Sequence, residues 1–252
     1  MMEKLTIWAR RRLADLKEAV REFMRRRVRK IVELVVTDID LMARLRDATT
    51  TAAFEEQHLR DAAGFKTRLA LHRAMLREVG HPDGLYLEFG VYKGDSINHF
   101  AELAPGAIWY GFDSFEGLPE DWTLGAKAGA FSVGGHLPPV RGNVRLTKGF
   151  FADTLPGFVA QHPGAKIALL HIDCDLYSST VTILKNVAPM LVPGSIIIFD
   201  ELINYHGWEK GEFKAFTEFA AERKLAFEYV AYNRTGSQVA VRIVDKPPNT
   251  LS

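Results

Sequence analysis

From Leu85 onward, short runs rich in β-branched and aromatic residues alternate with stretches of helical periodicity. This alternation is typical of a parallel sheet whose strands are joined by crossover helices. We predict seven strands, at residues 85–89, 108–112, 144–148, 167–172, 195–199, 226–231 and 238–243. The link 232–237 is too short for a helix, so the last two strands should form an antiparallel hairpin. The sequence therefore predicts an α/β fold with a doubly wound, mostly parallel seven-stranded sheet.

The N-terminal segment has a different character. Apolar residues recur at helical spacing over residues 1–47, and residues 1–30 hold eleven Lys or Arg but four Asp or Glu, although the whole chain carries a net charge of +1. We predict a basic amphipathic helical arm over residues 1–60, a domain over 61–246 and a tail over 247–252. Most charged helical faces are solvated, so we expect this arm to pack on the domain or on another subunit. Contact with an anionic membrane is the less favoured alternative, and no nucleic acid partner is expected.

Composition limits the class of protein. The chain has 252 residues, of which 47% are hydrophobic and 25% charged, so it can bury one sizeable core. Cys174 is the one cysteine in the sequence and has no intrachain disulfide partner, and no apolar run reaches the length of a spanning helix. A cytoplasmic enzyme or binding protein is the expectation.

The first predicted strand leads into the pattern E-x-G-x-x-x-G, formed by Glu88, Gly90 and Gly94. The glycines allow a tight turn and close approach of a ligand, while the carboxylate of Glu88 would repel a pyrophosphate. This argues against a dinucleotide, which needs a neutral glycine-rich turn, and favours a ligand with a cationic or hydrogen-bond-donating end. An ordinary strand-to-helix turn is the alternative.

The second predicted strand ends at Asp113, nineteen residues beyond Gly94. An acidic residue at this place is suited to accept both ribose hydroxyls of a bound nucleoside. Phe115 follows it and is expected to stack on a purine. The alternative for Asp113 is a helix N-cap.

Three carboxylates follow the fourth and fifth predicted strands: Asp173, Asp200 and Glu201. Carboxylates that converge repel one another unless a cation neutralises them, and an all-oxygen set suits Mg²⁺, Mn²⁺ or Ca²⁺. Helix capping and salt bridges to Lys210 or Lys214 are the alternative. His206, in the loop that follows, is the histidine we expect to meet a substrate.

The segment 121–143 is long, glycine-rich and aperiodic. Loops of this length in a compact domain are usually functional lids or disordered segments, and we expect a lid here.

The motifs LEFGVYKGDS, GFDSFEGLP, HIDCDLYSST and FDELINYHGW resemble the macrocin O-methyltransferase family of class I S-adenosylmethionine-dependent methyltransferases. This family methylates hydroxyls of deoxysugars on bacterial natural products, and the resemblance covers about residues 60–245. It implies S-adenosylmethionine as cofactor, Mg²⁺ at the sheet edge, a small-molecule hydroxyl acceptor, with a sugar favoured, and a homo-oligomer.

Carried over by position, the resemblance implies roles for individual residues. The metal site is Asp173, Asp200 and Glu201, with Glu201 standing where the family usually has Asp. For the general base we expect Asp173, with His206 as its competitor. The expected cofactor contacts are Glu88, Gly90, Val91, Tyr92, Gly94, Ser96, Asp113, Ser114, Phe115, Gly117, Phe151 and Asp173.

The expected activity is therefore Mg²⁺-assisted O-methylation of a sugar or glycosylated natural product. A catechol-type metal-dependent O-methyltransferase acting on a phenol is one alternative, and a noncatalytic nucleotide-binding module that associates through its basic arm is another. A nicotinamide oxidoreductase is weaker, because the glycine fingerprint is absent.

Overall fold

The structure, a computed structural model, describes residues 2–122 and 125–246, and it describes side chains from residue 16 onward. Residues 123–124 of the expected lid, the tail 247–252 and the side chains of the arm residues Leu5, Trp8 and Leu13 lie outside the described residues. The chain divides into two compact units between Arg46 and Asp47.

The N-terminal segment folds as two helices, α1 (Met2–Thr37) and α2 (Ile39–His58). Asp38 separates them, and its side chain accepts a hydrogen bond of 2.9 Å from the backbone N–H of Leu41, as an N-cap does. The helical spacing of apolar residues in the sequence extended only to residue 47. The structure instead continues α2 to His58, and the residues from Asp47 onward belong to the second unit.

The second unit is built on an eight-stranded sheet in the order β1-β7-β8-β6-β5-β2-β3-β4. All neighbours are parallel except that β8 runs antiparallel to both β6 and β7. The strands are β1 (Ala63–Phe65), β2 (Leu85–Phe89), β3 (Trp109–Asp113), β4 (Val144–Lys148), β5 (Ile167–Ile172), β6 (Ile196–Phe199), β7 (Phe227–Asn233) and β8 (Val239–Ile243).

This sheet confirms the predicted doubly wound fold and its C-terminal hairpin, but the predicted number of strands was wrong by one. The additional strand, β1, pairs in parallel with the end of β7, where Ala63 lies opposite Ala231. It has three residues and no alternation of polar and apolar side chains, so local sequence carries no signal for it. It forms where β7 offers an unpaired edge.

Helices cover both faces of the sheet and bury two apolar clusters. In β6, Ile197 and Phe199 face the cluster that contains Phe216, whereas Ile196 and Ile198 face the other cluster. This is the two-residue alternation that a strand buried on both faces requires. The helices of the second unit that follow α2 are α3 (Arg68–Met75), α4 (Asp95–Leu103), α5 (Phe151–Gln161), α6 (Tyr177–Val187) and α7 (Glu212–Arg223).

The carboxyl ends of β2, β3, β5 and β6 meet at one edge of the sheet. Backbone hydrogen bonds continue beyond the strands there, from Gly90 N–H to Phe112 and from Asp173 N–H to Phe89. Gly90 has a φ of +91°, and a Cβ built on it would overlap the carbonyl oxygen of Asp173. Glycine is therefore required where β2 turns past β5.

We expect Gly90→Ala to destabilise the protein by at least about 2 kcal/mol, because the methyl group adds a clash to an unfavourable φ. Gly106→Ala is the matched control, since a Cβ there has no atom within 4 Å. Urea denaturation of both variants checks this, and equal stabilities would contradict it.

Candidate active site

A cavity of about 530 Å³ opens at the edge where these four strands end. Its volume is that of an ordinary small-molecule pocket. Most of the residues expected from the sequence line it, and so does part of the segment 117–131. The expected residues found in its wall are Gly90, Val91, Tyr92, Ser96, Asp113, Ser114, Gly117, Phe151, Asp173, Asp200 and Glu201.

Asp113 ties the turn after β2 to the end of β3. One carboxylate oxygen accepts hydrogen bonds of 2.8 Å from the backbone N–H groups of Val91 and Tyr92, and the other accepts one of 2.7 Å from that of Phe115. A carboxylate has about four acceptor positions, so roughly one remains for a ligand. Asp113 thus holds the cavity wall in shape and also lines the cavity. The sequence predicted only a contact with a ribose.

Phe115 is not a wall residue. It is fully buried in the apolar cluster on the α4 side of the sheet, and its backbone has a φ of +56°. The bend that Asp113 holds turns this ring into the core. Phe115 therefore packs in the core and does not stack on a purine as expected. Tyr92, Phe150 and Phe151 are aromatic residues that do line the cavity.

Glu88 is fully buried and lies outside the cavity wall. Because side chains alternate along β2, Glu88 points to the α3–α4 layer and not to the edge of the sheet. Its carboxylate accepts hydrogen bonds from the hydroxyl of Ser96 (2.9 Å) and from Nδ1 of His171 (3.0 Å). The expected cofactor contact of Glu88 is thus replaced by support of Ser96, which does face the cavity.

His171 connects Glu88 to Asp200. Its Nε2 lies 3.5 Å from Asp200 Oδ1, while Gln238 donates a 3.0 Å hydrogen bond to Asp200 Oδ2. Burial opposes the charged imidazole, but the two carboxylates outweigh it and raise the pKa of His171 to about 10. Burial likewise opposes the charge on Asp200, yet the contact with His171 lowers the pKa of Asp200 to about 2.

The carboxylates that do converge are Asp173, Asp175 and Glu201, whose oxygens lie within 4.8 Å of one another. Burial and neighbouring carboxylates raise the pKa of Asp173 and of Glu201 well above the ordinary range and that of Asp175 to about 6. Asp200 was expected in this set, but the structure directs it towards His171 and Gln238. Asp175 takes its place.

Glu212, at the start of α7, is a fourth carboxylate that sequence reasoning missed. It is fully buried, accepts a 3.1 Å hydrogen bond from the backbone N–H of Glu201, and has one oxygen without a partner. Burial and the nearby Asp173 raise its pKa. No local sequence pattern predicts a role for Glu212. Asp175, in contrast, lies two residues after Asp173 in the motif HIDCDLYSST and could have been found from it.

Two further expected residues lie outside the wall. His206 donates a 2.7 Å hydrogen bond from Nδ1 to the carboxylate of Asp47 on α2 and is not part of the cavity wall. Gly94 caps α4 with a φ of +85°. The wall also contains Trp122 and Phe131 of the expected lid, together with Arg68 and Lys93, which were not among the expected contacts.

Comparisons with known proteins agree with this arrangement. Residues 87–202 match the family model of a methyltransferase domain. The chain is also similar to the solved structure of the calicheamicin methyltransferase CalS11, with a TM-score of 0.57 and 27% sequence identity over 70% of this chain and 78% of that one. The family model thus covers most of β2, all of β3, β5 and β6, and most of the residues around the cavity.

Two curated O-methyltransferases are also similar to this chain. The chain is 35% identical over 144 residues to the 8-demethyl-8-(2,3-dimethoxy-alpha-L-rhamnosyl)-tetracenomycin-C 4'-O-methyltransferase of Streptomyces olivaceus, covering 47% of this chain and 52% of that enzyme. It is 28% identical over 144 residues to the mycinamicin III 3''-O-methyltransferase of Micromonospora griseorubida, covering 47% and 55%. The matched segments span about half the length of both relatives, and they confirm the resemblance drawn from the four motifs.

We expect Glu212→Gln to stabilise the metal-free protein at mildly alkaline pH. Folding raises the pKa of Glu212, so the native state holds a proton that the unfolded chain releases, and stability falls as pH rises above the unfolded value of about 4.5. Glutamine keeps the acceptor for the Glu201 N–H but cannot ionise.

Denaturation in a chelating buffer at several pH values measures this effect. The difference from the parent protein should shrink as the pH falls below about 4.5. Glu222→Gln, an exposed position on the same helix, is the control. A Glu212→Gln variant that is less stable than the parent at alkaline pH would rule out repulsion among these carboxylates.

Proposed function

We propose that this protein transfers a methyl group from S-adenosylmethionine to a hydroxyl of a deoxysugar, with a divalent cation assisting. The observation that carries the proposal is one cavity that joins the turn after β2 to three converging carboxylates, Asp173, Asp175 and Glu201. The relatives named for methylation of a rhamnosyl and a macrolide sugar hydroxyl support this acceptor class. We assign the activity to the unit that begins at Asp47.

The cavity fits S-adenosylmethionine. Gly90 leaves no Cβ between the strand ends, Asp113 keeps about one acceptor position for a ribose hydroxyl, and Phe151 offers an apolar surface. Bound there, the cofactor would supply an electrophilic methyl group on its sulfonium sulfur.

The carboxylate set fits a hard divalent cation such as Mg²⁺. Three oxygen ligands converge, and Glu201 Oε2 is buried without a hydrogen-bond partner. A cation would offset the repulsion that raises the pKa of Asp173 and of Glu201. Next to the acceptor hydroxyl, its charge would favour loss of the hydroxyl proton.

Within this arrangement Asp173 accepts that proton. It lies in the cavity wall beside the other two carboxylates that would hold the cation, so its carboxylate is placed to take a proton from a hydroxyl bound there. His206, the competing candidate, is held by Asp47 outside the wall. Trp122 and Phe131 also line the cavity and offer flat surfaces on which a sugar ring can pack.

The full-length protein should convert a rhamnosylated acceptor or nucleotide-linked rhamnose to its methyl ether, detected by mass spectrometry, with S-adenosylmethionine present. Chelation should suppress the product and added Mg²⁺ should restore it. Calorimetric titration with S-adenosylhomocysteine tests the cofactor site separately. Methylation of catechol alone would replace the sugar by a phenolic acceptor, and no binding of S-adenosylhomocysteine would refute the cofactor site.

We expect Asp173→Asn to lower kcat by about 10²- to 10⁴-fold, because asparagine cannot accept the proton. Affinity for S-adenosylhomocysteine should change little, since Asp173 is one of many residues in the wall. Asp83→Asn, at an exposed position, is the control and should retain full activity. Unchanged turnover in Asp173→Asn would remove Asp173 as the base.

A further inference from the structure

One face of α1 carries apolar side chains that remain exposed in the structure. About 3.6 residues make one helical turn, so residues spaced three or four apart share a face. Each side chain of this apolar face is more than half exposed, from 53% to 60%. We define the apolar face of α1 as Leu16, Val20, Phe23, Met24, Val28 and Ile31.

A patch of this extent on a soluble protein usually marks an interaction surface. The residues that border it show which kind of partner it fits. From the same helical spacing, Lys17 and Arg21 lie along one margin, and Arg26 and Lys30 lie along the other. Arg27 lies within the apolar face, where its long side chain can extend towards polar groups.

The three acidic residues of this part of the helix, Glu18, Glu22 and Glu33, lie on the side opposite the apolar face. Arg25 and Arg29 share that side, where Arg29 forms an ion pair of 3.3 Å with Glu33, and Glu22 forms one of 3.3 Å with Arg26. The residues at both margins of the apolar face are therefore basic, and no acidic residue in this part of the helix lies next to it. This is the distribution of a helix that lies in the interface of an anionic bilayer.

A second copy of the chain is a poorer match for this face. In a pair of such helices, the margins beside the apolar seam contact each other, and here both margins are basic. Like charges at those positions oppose pairing, whereas an anionic surface attracts all of them.

We propose that α1 binds the surface of membranes that contain anionic phospholipids, with its apolar face inserted at the boundary between headgroups and acyl chains. The helix lies along the surface and does not cross the membrane: among the described residues, no helix is long and apolar enough to span a bilayer. Each Lys or Arg close to an anionic surface strengthens binding by about fivefold, and salt weakens this contribution.

The test is co-sedimentation of the full-length protein with vesicles of phosphatidylcholine alone and of phosphatidylcholine mixed with phosphatidylglycerol. Val20→Glu places a carboxylate at the centre of the apolar face. Val36→Glu is the matched control, because it makes the same change at an exposed position on the opposite side of the same helix.

We expect binding to the mixed vesicles that falls at high salt, drops by about tenfold or more in Val20→Glu and is nearly unchanged in Val36→Glu. Equal losses in both variants would contradict insertion of the apolar face. Absence of binding would also overturn the proposal, as would a dimer in sedimentation analysis that Val20→Glu dissociates while vesicle binding persists. Binding of S-adenosylhomocysteine by each variant verifies that the catalytic unit is folded.

Discussion

The active-site edge depends on a buried chain of charges that runs through the centre of the sheet, from Glu88 of β2 through His171 of β5 to Asp200 after β6. The imidazolium of His171 lies between two carboxylates, so each of these buried groups compensates the charge of its neighbour. Removal of one partner from such a pair typically costs about 3–5 kcal/mol, since the remaining charge stays buried. Together Glu88, His171 and Asp200 fix the ends of β2, β5 and β6 relative to one another, and so determine where the loops begin.

The same three residues determine which carboxylates of the cavity wall have a compensating charge. Asp200 is engaged by His171 and Gln238, so its pKa is about 2 and it stays ionised beside the imidazolium. Within the described part of the chain, Asp173 and Glu201 have no such cationic partner at hydrogen-bonding distance, and burial together with neighbouring carboxylates raises the pKa of both. A divalent cation bound to these oxygens would compete with protons, so its binding would depend on pH.

Sequence reasoning located the strands because each interior strand is buried on both faces and therefore reads as a continuous apolar run. It located the site at this edge because ligands of such sheets bind where the strands end. It misplaced Glu88 and Phe115, since the face that a side chain takes depends on strand alternation and on a positive φ within a turn. Glu212 could not be found, because it reaches Glu201 through the packing of α7 and not through any local pattern.

The N-terminal arm and the unit that begins at Asp47 would contribute to function in different ways. The cavity needs rigid strand ends to align a hydroxyl with a base, and proximity of this kind contributes much of the rate in group transfer. A surface-bound α1 adds no group to that cavity, but it would confine the enzyme to the interface where an amphipathic glycoside also accumulates. Confinement of both partners raises their effective concentration without a new contact in the site. Membrane binding would therefore affect KM for an acceptor with an apolar aglycone far more than KM for a free nucleotide sugar.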